Sequence, residues 1–181
     1  MYIIIIAIVV LIVIILGMYN NLVKLRNNVK QSESGIDVYL NQRFDLIPNL
    51  VECVKAYSKY EKETFEKIIE ARQSYIESDS KNLQQAQSLN NQMSKVVALA
   101  ESYPELKASE QYLNLQKNLS KIESQLQAAR RIYNSDVTAY NTKISVVPSN
   151  IIAGIFGFEA ASLFEIEEYK RENVNVSLEE E

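Results

Sequence analysis

Glu63, Glu66 and Glu70 stand three and four residues apart, the spacing that stacks carboxylates on one face of a helix. Such a face holds a pair of divalent metals when facing helices answer with a Glu-x-x-His pattern. The chain has no histidine, which removes that pattern together with the commonest general base. The three glutamates then read as a solvated acidic face. Cys53 is the single thiol, so it has no intrachain disulfide partner. With no imidazole to deprotonate it and core-facing Val54 beside it, it reads as a small buried or half-buried residue rather than a nucleophile. Gly154-x-x-Gly157 lacks the full glycine pattern and the preceding strand of a phosphate loop. No catalytic, cofactor or metal site is expected. A hydrolase working with carboxylates alone is the least favoured reading.

A second set of polar residues lies among apolar neighbours: Arg43, Asp45, Glu52, Arg72, Glu123, Arg130 and Asn134. Side chains of this kind either form ion pairs and caps that fix helix register, or face a partner. The first reading is favoured. Net charge is −4, yet residues 20–158 hold 17 basic and 15 acidic side chains, and residues 159–181 hold 2 and 8. The acidity belongs to the tail. Arg130-Arg131 is too small a basic patch for nucleic acid, so no nucleic-acid partner is expected.

The elements that must carry these residues begin with an anchor. Residues 1–19 contain no charged side chain, and Tyr2–Leu16, including Ile3 and Leu11, is an apolar run rich in Ile and Val. Nineteen residues of helix cover about 28 Å, close to the hydrocarbon thickness of a bilayer. Tyr2 and Tyr19 sit at the two ends, where aromatic rings favour the interface. A cleaved signal peptide would want a basic start and a small-residue cleavage site, neither of which is present. Lys24, Arg26 and Lys30 follow the span, and the positive-inside rule then places the N-terminus outside and the bulk of the chain in the cytoplasm.

Beyond the anchor, Leu22, Leu25, Val29, Ile36, Leu40, Phe44 and Ile47 step by helical intervals, so the anchor helix is expected to run straight on, weakened locally by Gly35. Pro48 should kink it or start a new helix, with Asp45 as cap. A second helix is expected over Leu50–Ile76, a polar turn at Glu77–Lys81, and a third helix from Leu83 to Ala100 stopped by Tyr103-Pro104. A fourth, starting near Leu106 and ending before Pro148, carries the stripe Leu115, Leu119, Ile122, Leu126, Ala129, Tyr133, Val137, Tyr140, Ile144 and Val147. Tyr112, Tyr133 and Tyr140 fall on or beside this stripe as core residues with a hydroxyl at the edge. The expected fold is all-α: a transmembrane helix (1–19) continuing into an elongated antiparallel helical bundle (20–158), followed by an acidic, disordered tail (159–181). Ile151, Ile152, Phe156 and Phe158 form an apolar, Gly-containing segment too short to span a membrane. It reads as a cap over the bundle end, or as a docking patch for a second subunit or the membrane surface.

With these segments in place the chain resembles the LemA family. The matching blocks are YNNLVKLRNNV (19–29), IDVYLNQRFDLIPNLVECVKAY (36–57), ETFEKIIEAR (63–72), YPELKA (103–108), LQKNLSKIE (115–123), ARRIYNSDVTAYNTKI (129–144) and PSNIIAGIFGF (148–158). They cover almost everything from Tyr19 to Phe158, in order; region 73–101 and the tail depart from the pattern. The resemblance implies an anchored helical bundle of the bacterial cytoplasmic membrane, with its bulk in the cytoplasm. It also implies a link to membrane-protein quality control, with a membrane protease as a partner. It brings no catalytic residues.

The reading these features favour is a membrane-anchored, non-enzymatic scaffold in contact with the lipid bilayer that self-assembles as a homo-oligomer. Its assembly surfaces would be the Ile151–Phe158 patch and the helix after the anchor. The alternative is a transmembrane sensor or adaptor that passes a signal through the anchor helix. The short outside segment weighs against it, since it leaves almost nothing to bind a ligand.

Overall fold

The computed structural model describes residues 1–58, 61–78 and 83–164, with the side chains of residues 83 and 84 excepted. All regular structure among them is helical. The elements are α1 (Tyr2–Phe44), α2 (Ile47–Lys55), α3 (Lys62–Glu77), α4 (Leu83–Glu101), α5 (Pro104–Lys107), α6 (Glu110–Ser145) and α7 (Ser149–Phe156). They form two compact units. One takes Met1–Val29 with Tyr133 onward, the other Lys30–Ile132.

Helix α1 runs without interruption for 43 residues, from the apolar run into the polar sequence beyond it. Its large apolar side chains from Met1 to Leu16 are all exposed, Ile15 least at 37%. An apolar surface of that extent, uncovered on every side, is what a membrane-spanning helix presents to lipid. This is the one helix among the described residues long and apolar enough to cross a membrane. The chain is a membrane-associated helical protein.

Where α1 stops, the reason is chemical. Pro48 lies in the first turn of α2 and has no N–H to give the carbonyl of Phe44 four residues back. Arg72 of α3 supplies the missing donor, its Nε reaching the Phe44 carbonyl at 3.4 Å. The same guanidinium lies 3.5 Å from Asp45, and a cation at this helix end also suits the helix dipole. Pro48 therefore starts a new helix, as expected. Asp45 is not its cap: Leu46 holds that position with no side-chain bond. In the same unit Ile36, Leu40 and Phe44 are buried, and the Phe44 ring meets Tyr75 edge-on at 4.7 Å.

Two expected helices are each divided. The stretch Leu50–Ile76 is not one helix, because α2 ends at Lys55 and α3 begins at Lys62. Val54 and Phe65 are both buried and eleven residues apart, a distance that returns to the same helical face after about three turns, so the stripe looks continuous across the break. Within the break Ser58 is buried and takes a hydrogen bond from the Tyr103 hydroxyl at 3.1 Å. The helix expected from Leu106 is likewise a single turn, α5, followed by α6. Ser109 opens α6, its hydroxyl accepting the Tyr112 N–H at 3.3 Å. Of the expected turn at Glu77–Lys81, residues 79–81 lie outside the described residues, as do residues 165–181 of the expected tail.

Gly35 sits inside α1 with nothing within 4 Å of where a Cβ would stand. Gly35→Ala is expected to raise stability by about 0.4–1 kcal/mol through reduced freedom of the unfolded chain. Leu126→Ala, at a fully buried position, is expected to cost roughly 2–5 kcal/mol. Thermal unfolding of the detergent-solubilised chain, followed by circular dichroism, checks both.

Candidate interaction surface at the end of the anchor

The unit that contains the span is built around the first turns of α1 after Tyr19. Leu22 and Val29 of α1, Val137 and Tyr140 of α6, Ile152 and Ala153 of α7, and Phe158 form one buried cluster. Met18, Tyr19, Val23, Leu25 and Ile144 pack against it. Helix α7 follows a cis Val147–Pro148 bond and is tied to the end of α6 by buried Ser149. The Ser149 hydroxyl is shared between the carbonyl of Lys143 in the last turn of α6 (2.6 Å) and that of Val146 just beyond it (3.0 Å), which also accepts the Asn150 N–H at 2.9 Å.

Gly157 closes α7 in the left-handed conformation, φ 68°, and the Phe158 N–H returns to the Ala153 carbonyl at 2.9 Å. That turn drives Phe158 into the cluster. Its ring lies 5.8 Å from Tyr19, the Arg26 guanidinium sits 5.1 Å from its centroid, and the Phe156 ring lies 4.8 Å from Tyr19.

Of the residues singled out in this segment, Ile152 and Phe158 are buried, whereas Ile151 and Phe156 are exposed. Ile155 joins them, 72% exposed. The segment is thus a cap on one face and an uncovered apolar surface on the other. The anchor residues Tyr2, Ile3, Leu11 and Leu16 are exposed, while Tyr19 is half-buried beneath α7.

Residues 159–164, which the sequence places with the acidic tail, are laid along α6 in six hydrogen bonds. Asn141 gives Nδ2–H to the Ala161 carbonyl (2.8 Å) and takes the Ala161 N–H on Oδ1 (2.9 Å). Asn134 repeats this with Phe164, at 3.0 and 2.8 Å. The hydroxyls of Tyr140 and Tyr133 donate to the carbonyls of Glu159 (2.8 Å) and Ser162 (2.9 Å). Seven helical residues rise about 10.5 Å and three extended residues about 10 Å, so the two registers stay in step. The signal for this was present in the sequence, as a Tyr-Asn pair repeated after seven residues (Tyr133-Asn134, Tyr140-Asn141). Burial pushes the Tyr140 hydroxyl above its usual pKa, opposed by the Arg26 charge and aided by Glu159.

In the other unit the singled-out charges are placed as ties between helices. Arg43 in the last turn of α1 meets Glu123 of α6 at 2.9 Å, both partly buried, and Arg72 holds Phe44 and Asp45. Arg130 is partly buried on α6 and engaged there as well. Glu63 and Glu66 are taken up by ion pairs with Lys67 and Lys62 along α3. The Lys67 ammonium keeps the Glu63 carboxyl below its usual pKa.

Cys53 lines an open cleft of about 570 Å³ with Asn49, Glu52, Tyr57, Asn114 and Asn118. Burial first, and the Glu52 charge second, push its thiol pKa up. This is the reverse of what a nucleophile requires.

Two measurements check these assignments. Asn134→Ala with Asn141→Ala is expected to speed amide exchange at Ala161 and Phe164 severalfold while leaving Leu126 unchanged. Because the folded thiol titrates above the unfolded one, thiolate is scarcer in the folded chain. Alkylation of Cys53 by iodoacetamide at roughly pH 8–9 should therefore lag behind that of the denatured chain, and Glu52→Gln should narrow the gap.

Comparison with known proteins agrees with this architecture. The LemA family model matches residues 32–178. Protein LemA of Metamycoplasma hominis is 26% identical over 165 residues, covering 89% of this chain and 75% of that protein. Magnetosome protein MamQ 2 of Paramagnetospirillum magneticum is 22% identical, covering 89% of this chain and 70% of its own length. Magnetosome protein MamQ of Magnetospirillum gryphiswaldense is 21% identical, with 81% and 64% covered. With more than half of its length matched by the family model, and with an exposed apolar helix leading into a helical body, the chain belongs to the LemA family.

Proposed function

We propose that this chain is a membrane-tethered scaffold that assembles with copies of itself in the plane of the cytoplasmic membrane, with its helical body on the cytoplasmic side and no reaction of its own. The observation that carries this reading is a stripe on α3. Ile69 and Ile76, seven residues apart on one face of that helix, are 50% and 54% exposed. Two isoleucines at heptad spacing are the smallest unit of a helix–helix seam. Val38, on the part of α1 that follows the anchor, and Ile132 on α6 are exposed in the same unit. Tethering to a membrane raises the local concentration of copies, so a modest seam suffices for association. The charged side chains that would otherwise suggest chemistry are engaged in helix ties, which supports a structural rather than a catalytic role. A link to membrane-protein quality control, through a membrane protease as partner, belongs to the same proposal.

One observation favours a second reading, that of a transmembrane adaptor. Helix α1 is unbroken from Tyr2 to Phe44, so the span and the residues that follow it share one hydrogen-bonded helix. Replacing the span with an unrelated apolar helix should abolish function on the adaptor reading and preserve it on the scaffold reading.

Amine-directed cross-linking in intact membranes, with mass determination of the products, tests the scaffold directly. The wild-type chain is expected to give multiples of its own mass. Ile69→Asp with Ile76→Asp, both at exposed positions, should reduce them severalfold at unchanged helicity. A wild-type chain that stays monomeric at membrane density would sink the proposal.

A further inference from the structure

We infer that α7 is a membrane-interface helix: the exposed face formed by Ile151, Ile155 and Phe156, with Val147 just ahead of it, lies in the lipid headgroup region beside the point where the anchor leaves the bilayer. This goes beyond self-assembly and does not depend on it.

Tyr19 closes the uncharged run and marks the end of the span. The ring of Phe156 lies 4.8 Å from the Tyr19 ring and that of Phe158 5.8 Å from it, so the C-terminal end of α7 is at the same depth as the end of the span. An eight-residue helix is only about 12 Å long, which keeps the rest of α7 close to that level. Whatever covers its outer face must therefore occupy the headgroup layer, where lipid is always present.

The chemistry of the face fits lipid. Helix α7 (SNIIAGIF) carries no charged side chain. Ile152, Ala153 and Ser149 turn inward and are buried. Ile151 and Ile155, one helical turn apart, are 60% and 72% exposed, and Val147 is 77% exposed. A short helix with one face on protein and the other apolar but for Asn150 at its start has the geometry of an interfacial segment, which sinks its apolar face about 5–10 Å into the boundary between headgroups and chains. Lys24 and Arg26, both exposed on α1 within two turns of Tyr19, are placed to meet anionic headgroups. The same packing explains why Met18 and Tyr19 are half-buried while residues 1–17 are bare. The anchor and α7 would enter the interface as one body, and the span would not pivot freely about its end.

The chain has no tryptophan, so one introduced tryptophan reports alone. The full chain carrying Ile155→Trp would be reconstituted into vesicles of phosphatidylcholine and phosphatidylglycerol, with and without phosphatidylcholine brominated near the headgroup end of its chains. Leu113→Trp in the other unit serves as the control outside the membrane, and Ile151→Trp as the second reporter should Ile155→Trp lose helicity. The expected result is blue-shifted emission from the α7 reporter, quenched severalfold more by brominated lipid than that of Leu113→Trp. Emission typical of water, with no more quenching than the control, would overturn the inference. So would blue-shifted emission that resists brominated lipid and reverts on dilution into excess lipid, since a second copy would then cover the face.

Discussion

The backbone of a lone membrane span has no hydrogen-bond partner but itself, so residues 2–19 are bound to be helical whatever their intrinsic preference. A run of Ile and Val would be a poor helix in water; in lipid the alternative is a row of unsatisfied amides. Once that ladder exists, nothing stops it on leaving the membrane. Gly17 and Gly35 are tolerated within it, and the first residue that cannot donate to the ladder is Pro48. The long helix α1 follows from these two facts, and each of the two units is fastened to its own part of it.

The fastening differs between the two units. Around residues 22–29 it is apolar, through Val137, Tyr140, Ile152 and Phe158. Around residues 36–44 an apolar core is finished by polar ties: Arg43 to Glu123, and Arg72 to the carbonyl that Pro48 leaves unpaired. Partly buried ion pairs of this kind add little net stability, because desolvation offsets much of the attraction. They do penalise wrong registers, since sliding either helix by one residue leaves a charge without its partner. Arg43, Arg72 and Glu123, which look in sequence like candidates for chemistry, are used in this way, whereas Glu63 and Glu66 pair along α3.

The sequence made the span, the continuation of α1, the start at Pro48 and the helix α4 legible, because each rests on local pattern or on the missing N–H of proline. It hid the break between α2 and α3, since Val54 and Phe65 are in phase across eleven residues whether or not the helix is continuous. It hid the break before α6 because Ser109, a helix-opening residue, follows only one turn of α5. Residues 159–164 were obscured for a different reason. All six bonds that hold them end on main-chain atoms, so the segment's own side chains carry no pattern. The information lay instead in the repeated Tyr-Asn pair on α6. The polar residues that read as register ties in sequence include Arg43, Arg72, Arg130 and Asn134, and Asn134 makes two of those six bonds. Asn141, which was not among them, makes two more.

These observations converge on one physical claim, that a single unbroken helix leaves the bilayer and continues without a joint into the folded residues that follow it. Amide hydrogen exchange across residues 17–30 of the full chain in lipid vesicles tests it most directly. The account predicts slow exchange throughout, with no faster stretch between Gly17 and Leu22. A run of fast-exchanging amides at residues 17–21 would mean a flexible joint at the membrane surface, and would contradict it.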